Sequence, residues 1–193
     1  MKKIENAFTG LEAAIVLIAF VVVAAVFSYV MLGAGFFTAQ EAQTVVHTGM
    51  GQAASSIEIT GDVYGFGNTS VSPATVQNVS FTISLTAGNQ PMDLARARMT
   101  LATPTTREIL ALASSTGTDE PEAGEWAVTN IFDAVGSGDL VLDPTEKFQI
   151  KVAPTTQIAA DTRFTITIQP EVGALTTVVR TTPADIKAVN ILR

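Results

Sequence analysis

The residues whose types and spacing best support chemistry are Thr9 and Glu12, which form the pattern T-x-x-E at the start of an apolar run. One interpretation is a capping box, in which Thr9 begins a helix and the Glu12 carboxylate accepts a hydrogen bond from the Thr9 backbone amide. The other applies if the chain is cut after Ala7, because Phe8 then carries a charged α-ammonium group. A carboxylate at the edge of an apolar helix is costly unless it is paired, and Glu12 could pair with the Phe8 amine of an adjacent copy. The sequence leaves both interpretations open.

Two asparagines have the sequence context for covalent sugar attachment. Asn68-Thr69-Ser70 and Asn78-Val79-Ser80 both match N-x-[S/T]. This pattern is common by chance, but it carries more weight in a domain that lies outside the cell. We predict glycans at both Asn68 and Asn78.

Catalytic and metal-binding patterns do not occur in this sequence. His47 is the single histidine, and it falls in a segment predicted to be helical, where a surface or interface role is expected. There is no cysteine, no G-x-S-x-G motif, no phosphate-binding loop and no cluster with metal-ligand spacing. The chain is therefore expected not to be an enzyme, with no catalytic residue, no metal and no cofactor.

The charge balance also restricts the partners. The net charge is −7, and no Lys or Arg occurs between Lys3 and Arg96. Nucleic acid is an unsuitable partner, because phosphate binding needs a clustered basic surface. The acidic stretch of Asp119, Glu120, Glu122 and Glu125 is interpreted as a solvated loop. The alternative, a calcium site, matches no known loop spacing.

An apolar run dominates the N-terminal part of the chain. From Leu11 to Phe37 the only charged residue is Glu12. At about 1.5 Å per residue this run is longer than a bilayer of about 30 Å requires. Gly33-Ala34-Gly35 is a weak cleavage site, because two phenylalanines follow it, so the run is expected to stay on the protein. Lys2 and Lys3 precede the run, which predicts a cytoplasmic N-terminus and an external remainder.

The helix is predicted to continue beyond the apolar run, from about Thr9 to about Ser56, with an amphipathic second half. The segment 38–56 has no proline and repeats small and apolar residues, although Gly49 and Gly51 weaken it. A helix that is apolar on every side must be buried in lipid or in protein. A single-span anchor needs only the first half, whereas a bundle of identical helices in a filament uses both halves.

The N-terminal residues resemble a known family. A short basic leader followed by Phe8-Thr9-Gly10-Leu11-Glu12 is similar to the class III signal of type IV pilin-like proteins, and in particular to archaellins, the archaeal flagellins. The C-terminal run 168–174, with Val179-Arg180 and Pro183, is similar to the end of archaellin outer domains. The resemblance implies that a prepilin-type peptidase removes residues 1–7 between Ala7 and Phe8, and that a membrane motor and assembly platform act on the filament.

The remainder of the chain changes to a period of two. Strict alternation in 79–85, 147–152 and 163–168, and weaker alternation in 95–101, predicts strands. Further strands are expected near 57–66, 108–112, 125–132, 139–142 and 174–180, and Trp126 is expected in the core. These features predict an α+β protein: leader 1–7, assembly helix 8–56 and an antiparallel Ig-like β-sandwich over 57–193.

These inferences lead to one expected function and two alternatives. The chain is expected to be a structural subunit of an extracellular archaeal flagellar filament, a homopolymer formed through the N-terminal helix after transient insertion of the precursor in the membrane. One alternative is an adhesive type IV pilin subunit, and the other is a membrane-anchored extracellular binding or hydrolytic domain.

Overall fold

The computed structural model describes residues 2–54, 56–87, 91–113, 120–136 and 139–193. The chain divides into two compact units, Met1–Gly49 and Met50–Arg193. One unit consists of helix, and the other contains all the described strands. The predicted α+β class, a long apolar helix followed by an antiparallel Ig-like β-sandwich, is confirmed apart from one parallel strand pair.

The helix α1 spans Lys2–Ala54. It begins earlier than the predicted Thr9, because no proline or glycine interrupts residues 2–9. Thr9 therefore lies inside the helix and does not cap its N-terminus, so the capping-box interpretation is wrong for the intact chain. The helix ends at Ala54, slightly before the predicted Ser56, and the first strand begins at Ser56.

Eleven strands follow in the described residues. They are β1 Ser56–Asn68, β2 Thr75–Ala87, β3 Met92–Asp93, β4 Arg98–Ala102, β5 Arg107–Leu112, β6 Glu125–Phe132, β7 Val141–Leu142, β8 Lys147–Ala153, β9 Arg163–Gln169, β10 Thr176–Thr181 and β11 Val189–Leu192.

Nine strands are hydrogen-bonded to their neighbours in the order β10-β9-β4-β5-β6-β8-β2-β1-β11, and β3 pairs with β7 separately. The strand β5 joins the two halves of this order. Its first part pairs antiparallel with β4, whereas Ala111 and Leu112 pair parallel with β6. Apolar residues from both halves belong to one buried cluster, so the two halves form the two layers of a sandwich.

The alternation read from the sequence determines which side chains enter this core. Phe148, Ile150 and Val152 on β8 have no exposed surface, and the intervening residues are partly exposed. The β9 side chains alternate in the same way. Trp126 is 1% exposed and is a core residue, as predicted. One face of each strand is thus buried against the opposite layer, as the period of two requires.

Three details differ from the sequence-based expectation. The strand predicted over 95–101 begins at Arg98, because Ala95 and Arg96 form a turn in which the Asp93 carboxylate accepts a hydrogen bond from the Ala95 amide. The strand β3 is too short to give a periodic signal. The strand β11 lies at a sheet edge and carries a buried asparagine, Asn190, where the pattern requires an apolar residue.

Candidate functional site

The surface of α1 is the most unusual feature of the molecule. Every large apolar side chain from Leu11 to Met50 is between 54% and 80% exposed. The most hydrophobic part of Gly10–Met50 contains no buried residue. This helix is long and apolar enough to cross a membrane. An apolar helix with this exposure is unfavourable in water, at about 25 cal/mol for each Å² of apolar surface. The helix therefore requires a partner, either lipid or protein.

The second half of α1 has two different sides, as predicted. One side carries Gln40, Gln43, Thr44, His47 and Thr48, which line a polar groove. The other groups apolar residues around a separate groove, lined by Phe37, Thr38, Glu41, Ala42, Val45 and Val46. His47 is exposed on the polar side, next to Thr44 and Thr48.

Three threonines in α1 have their hydroxyl groups satisfied within the helix. Thr38 donates to the Ala34 carbonyl at 2.9 Å, Thr44 donates to the Gln40 carbonyl, and Thr48 donates to the Thr44 carbonyl at 2.8 Å. A hydroxyl bonded to its own helix can be buried at low cost, because it is not left unpaired. These threonines belong to no sequence motif, although their positions inside a predicted helix are the signal for such bonds.

Glu12 is exposed and lies beside a strip of Ala13, Val16, Leu17 and Phe20. Burial of this carboxylate becomes costly when another helix or lipid covers the surrounding apolar strip, unless a cation lies close enough to pair with it. Ala7, Phe8 and Thr9 belong to the same helix backbone in the intact chain. Leader removal would therefore make the Phe8 amine the new helix N-terminus, one helical turn before Glu12.

The two predicted glycosylation sites differ in structure. Asn68 is the last residue of β1, and its side-chain oxygen accepts a hydrogen bond from the Ser70 amide at 3.1 Å, which forms an Asx turn. Asn78 lies in β2 opposite Phe66. Ser80, the residue that supplies the hydroxyl group of the N-x-[S/T] motif, is only 3% exposed. Both asparagines are half-buried. Asn68 is therefore the more accessible acceptor in the folded domain.

The acidic stretch has a basic partner that its sequence does not reveal. The Glu120 carboxylate forms a salt bridge with Lys151 at 2.5 Å, and the Glu125 carboxylate accepts a hydrogen bond from the Glu122 amide. Asp119 lies outside the described residues. Within those residues, no group of three or more His, Asp or Glu side chains could hold a metal ion.

A pocket of the sandwich likewise lacks reactive groups. Its volume is about 290 Å³, and its lining is rich in hydroxyl groups and has no ionisable side chain: Thr103, Pro104, Thr105, Thr106, Thr156, Gln157, Ile158, Ala159 and Thr162. Without an acid, a base or an activated nucleophile, this lining has no means of general acid–base or covalent catalysis.

Comparison with known proteins connects the helix and the sandwich to one family. Residues 7–180 match the archaeal-type flagellin family. The chain belongs to this family. "Probable flagellin 1" of Archaeoglobus fulgidus is 40% identical over 197 residues, which cover 98% of this chain and 96% of that relative. As an archaeal-type flagellin, the chain is a structural filament subunit and not an enzyme.

Two solved structures resemble this flagellin. The archaeal flagellum of Methanospirillum hungatei strain JF1 matches with a TM-score of 0.70 and 34% identity, and the match covers 94% of this chain and 98% of that one. The crystal structure of archaeal flagellin FlaB1 from Methanocaldococcus jannaschii matches with a TM-score of 0.59 and 20% identity. The second match covers 72% of this chain and 97% of that one, and it supports the fold alone.

Proposed function

We propose that α1 is the polymerisation element of this flagellin, and that it assembles with the same helix of other copies after residues 1–7 have been removed. The observation that carries the proposal is the exposure of every large apolar side chain along Leu11–Met50. In a bundle of identical helices these side chains contact one another, and the chain needs no lipid in its final state.

Close packing, and not the hydrophobic effect, decides this assembly step. The precursor first holds α1 in the cell membrane, with the sandwich outside. Transfer of α1 from lipid to a helix bundle hardly changes the amount of apolar surface that is exposed to water. Van der Waals contacts and polar pairing therefore supply the free energy of assembly. Small residues such as Ala24, Ala25 and Gly33 allow the helices to approach, and the internal bonds of Thr38, Thr44 and Thr48 leave no free hydroxyl at these positions.

Leader removal supplies the polar pairing. A prepilin-type peptidase cuts between Ala7 and Phe8 and creates an α-ammonium group at Phe8. This cation then pairs with Glu12 of a neighbouring copy, which makes burial of the carboxylate tolerable. Before cleavage the cation is absent, so the uncut chain remains in the membrane and assembly is tied to maturation.

The assembled polymer lies outside the cell, and its sandwiches face the solvent. Contacts that repeat without closing a ring generate a helical filament. The remaining archaellum components are partners of this subunit: an assembly platform inserts it, and a membrane motor rotates the filament for swimming. The subunit itself supplies stiffness and shape, and the torque comes from the motor.

N-terminal sequencing of the chain in sheared extracellular fibres tests the proposal. Phe8 is the expected first residue. Fibres that contain an intact Met1 would contradict the role of cleavage, and a chain recovered only from membranes would contradict polymerisation. Swimming distinguishes the role further, because a deletion strain should lose motility, whereas normal swimming with lost surface attachment would indicate an adhesive pilin.

A further inference from the structure

We propose that the sandwich has a saccharide-binding site, in which a pocket between the turn 103–106 and the segment 156–162 accepts one neutral sugar ring. This inference goes beyond the role of α1 in assembly and concerns only the unit that contains the strands. The pocket, named here the threonine pocket, has a volume of about 290 Å³. Because sites for larger organic ligands span about 300–1,000 Å³, this volume suits a single ring.

The lining of the threonine pocket combines hydroxyl groups with a smaller apolar part. Its hydroxyl groups come from five threonines: Thr103, Thr105, Thr106, Thr156 and Thr162. Gln157 adds a side-chain amide, and Pro104, Ile158 and Ala159 supply the apolar part. A pyranose ring has the corresponding chemistry, since its hydroxyl groups surround the edge of the ring and its C–H groups form the two faces.

Two polar groups of this lining are available to a ligand. The side-chain oxygen of Gln157 accepts a hydrogen bond from the Thr75 hydroxyl, whereas the NH₂ group of Gln157 has no partner among the described residues. The Thr156 side chain is exposed, and its hydroxyl is not bonded to any residue in the part of the chain that the structure describes. The amide can donate two hydrogen bonds, and the hydroxyl can donate and accept. Sugar hydroxyls require this combination.

Hydrogen bonds fix both sides of the pocket. On one side the Thr103 amide donates to the Thr106 carbonyl at 2.7 Å, and the Thr103 hydroxyl accepts a hydrogen bond from the Thr106 amide at 3.0 Å. On the other side Val76 and Ile158 exchange two backbone hydrogen bonds of 2.8 and 2.9 Å. A site on a fixed backbone loses little conformational entropy when it binds a ligand.

A buried threonine stabilises the end of the segment 156–162. Thr182 is 2% exposed, and its hydroxyl donates to the Ala159 carbonyl at 2.7 Å and accepts from the Thr162 amide at 2.9 Å. The positions of Ala159 and Thr162 in the lining are therefore set by the interior of the sandwich.

The charges around the pocket favour a neutral ligand. Its lining has no ionisable side chain. Arg107 and Arg163 follow lining residues along the chain, but each is accompanied by a carboxylate within two residues, Glu108 or Asp161. An anion or a cation would therefore lose its hydration without gaining a net opposite charge. A purely apolar molecule would remove water from the hydroxyl groups without replacing their hydrogen bonds. A neutral polyol avoids both costs.

Two sources can supply a neutral sugar. One is the glycan predicted at Asn68. Asn68 lies opposite Thr75 on neighbouring strands, which are about 4.8 Å apart, and Thr75 is bonded to Gln157 of the pocket. A glycan on Asn68 therefore begins close to the threonine pocket. The other source is a free saccharide outside the cell.

Saturation-transfer NMR tests the site on the full chain, held in a detergent without a sugar headgroup. The probes are glucose, galactose, mannose and N-acetylglucosamine, and the chain carries Asn68→Gln so that no glycan at this position competes. At least one probe should receive magnetisation from the protein. Glucuronic acid and glucosamine carry a charge and should bind about tenfold more weakly than the neutral sugars.

A pair of substitutions removes the pocket amide without leaving its partner unsatisfied. Thr75→Val combined with Gln157→Leu replaces both groups of one hydrogen bond, which is expected to leave the stability nearly unchanged. The matched control is Thr177→Val combined with Gln169→Leu, at exposed positions of β10 and β9. The pocket pair should weaken binding about tenfold, and the control pair should not change it. Thr156→Val, at an exposed position, should weaken binding about fivefold and provides a second test if the pair impairs folding.

Two results would overturn the saccharide site. One is the absence of saturation transfer to all the neutral probes. The other is binding that persists unchanged in both pocket variants, because the sugar then binds elsewhere. Tighter binding of glucuronic acid or glucosamine than of the neutral sugars would overturn the neutral class. Fluorescence of the buried Trp126 shows whether each variant is folded.

Filaments distinguish the two sources. If the Asn68 glycan occupies the pocket, wild-type filaments should give no saturation transfer, whereas Asn68→Gln filaments should give it. If the sugar comes from outside, both kinds of filament should give it. Binding by the isolated chain and by neither filament would overturn a role in the finished filament. The measurement in detergent does not depend on polymerisation, so failure of the proposed assembly would leave its result unchanged.

Discussion

Gly67 and Lys187 approach so closely that no side chain fits between them. A Cβ placed on Gly67 would lie 2.2 Å from the Lys187 carbonyl oxygen and 2.6 Å from Cγ2 of Ile186. The Asn190 side chain strengthens the same junction, because its amide group donates to the carbonyl of Lys187 at 2.7 Å and to that of Gly65 at 3.2 Å. These contacts attach the last strand, β11, to β1.

Gly67→Ala is expected to lower the free energy of unfolding of the sandwich by about 1–3 kcal/mol, because the added methyl group forces the chain around Lys187 to move. Trp126 is the only tryptophan and is buried, so its fluorescence during denaturation reports on the sandwich. A stability equal to that of the wild type would contradict the close approach.

Glu146→Ala is expected to destabilise the sandwich by about 1–3 kcal/mol for each backbone amide left without a partner, those of Val135 and Asp143. Denaturant titration of the full chain in detergent, followed by Trp126 fluorescence, measures the change. Glu146→Gln keeps one acceptor oxygen and most of the shape, and should cost less. Equal losses in both variants would contradict a contribution from the single remaining acceptor oxygen, whereas a Glu146→Gln variant as stable as the wild type would show that the carboxylate charge makes no separate contribution.

Gly49→Ala is expected to stabilise isolated α1 by about 1 kcal/mol, because alanine is the better helix former and no atom lies within 4 Å of the added Cβ. Backbone hydrogen exchange around residue 49 in detergent should slow accordingly. In the filament the same methyl group could obstruct a neighbouring helix. Release of more subunit from filaments, combined with slower exchange in the monomer, would identify Gly49 as a packing position between copies.

Glu12→Gln is expected to reduce filament formation while leaving membrane insertion and leader removal intact, because the amide cannot neutralise the Phe8 ammonium. Immunoblots of the membrane and sheared-fibre fractions measure the partition, and mature chain should accumulate in the membrane. Asp185→Asn, at an exposed position of the sandwich, is the control and should assemble normally. Normal fibres from Glu12→Gln would contradict the pairing.

Asn68→Gln and Asn78→Gln are each expected to remove one glycan from the filament protein. Intact-protein mass spectrometry measures the loss. Asn68, in its exposed turn, should carry sugar on a larger fraction of chains than Asn78, whose motif includes the buried Ser80. A wild-type mass equal to that of the bare chain Phe8–Arg193 would contradict modification at both positions.

Much of this architecture could be predicted from the sequence, because it depends on patterns that are local. The apolar run at Leu11–Phe37 predicted the helix, and strict alternation predicted strands such as β8 and β9. The start of the helix was predicted wrongly at Thr9. A capping pattern indicates a start only where the preceding residues cannot themselves be helical, and residues 2–8 can.

The composition of Leu11–Phe37 determined by itself that this chain needs a partner, since an apolar helix of this length has no stable state in water. Only the tertiary structure decided which residues of the sandwich lie on its surface together. Tyr64 and Ile191 are paired across two strands that are distant in the chain, and Lys151 reaches Phe66 and Glu120 in the same way. Strand order and register bring these side chains together, and both depend on the packing of the whole core, which no local pattern specifies.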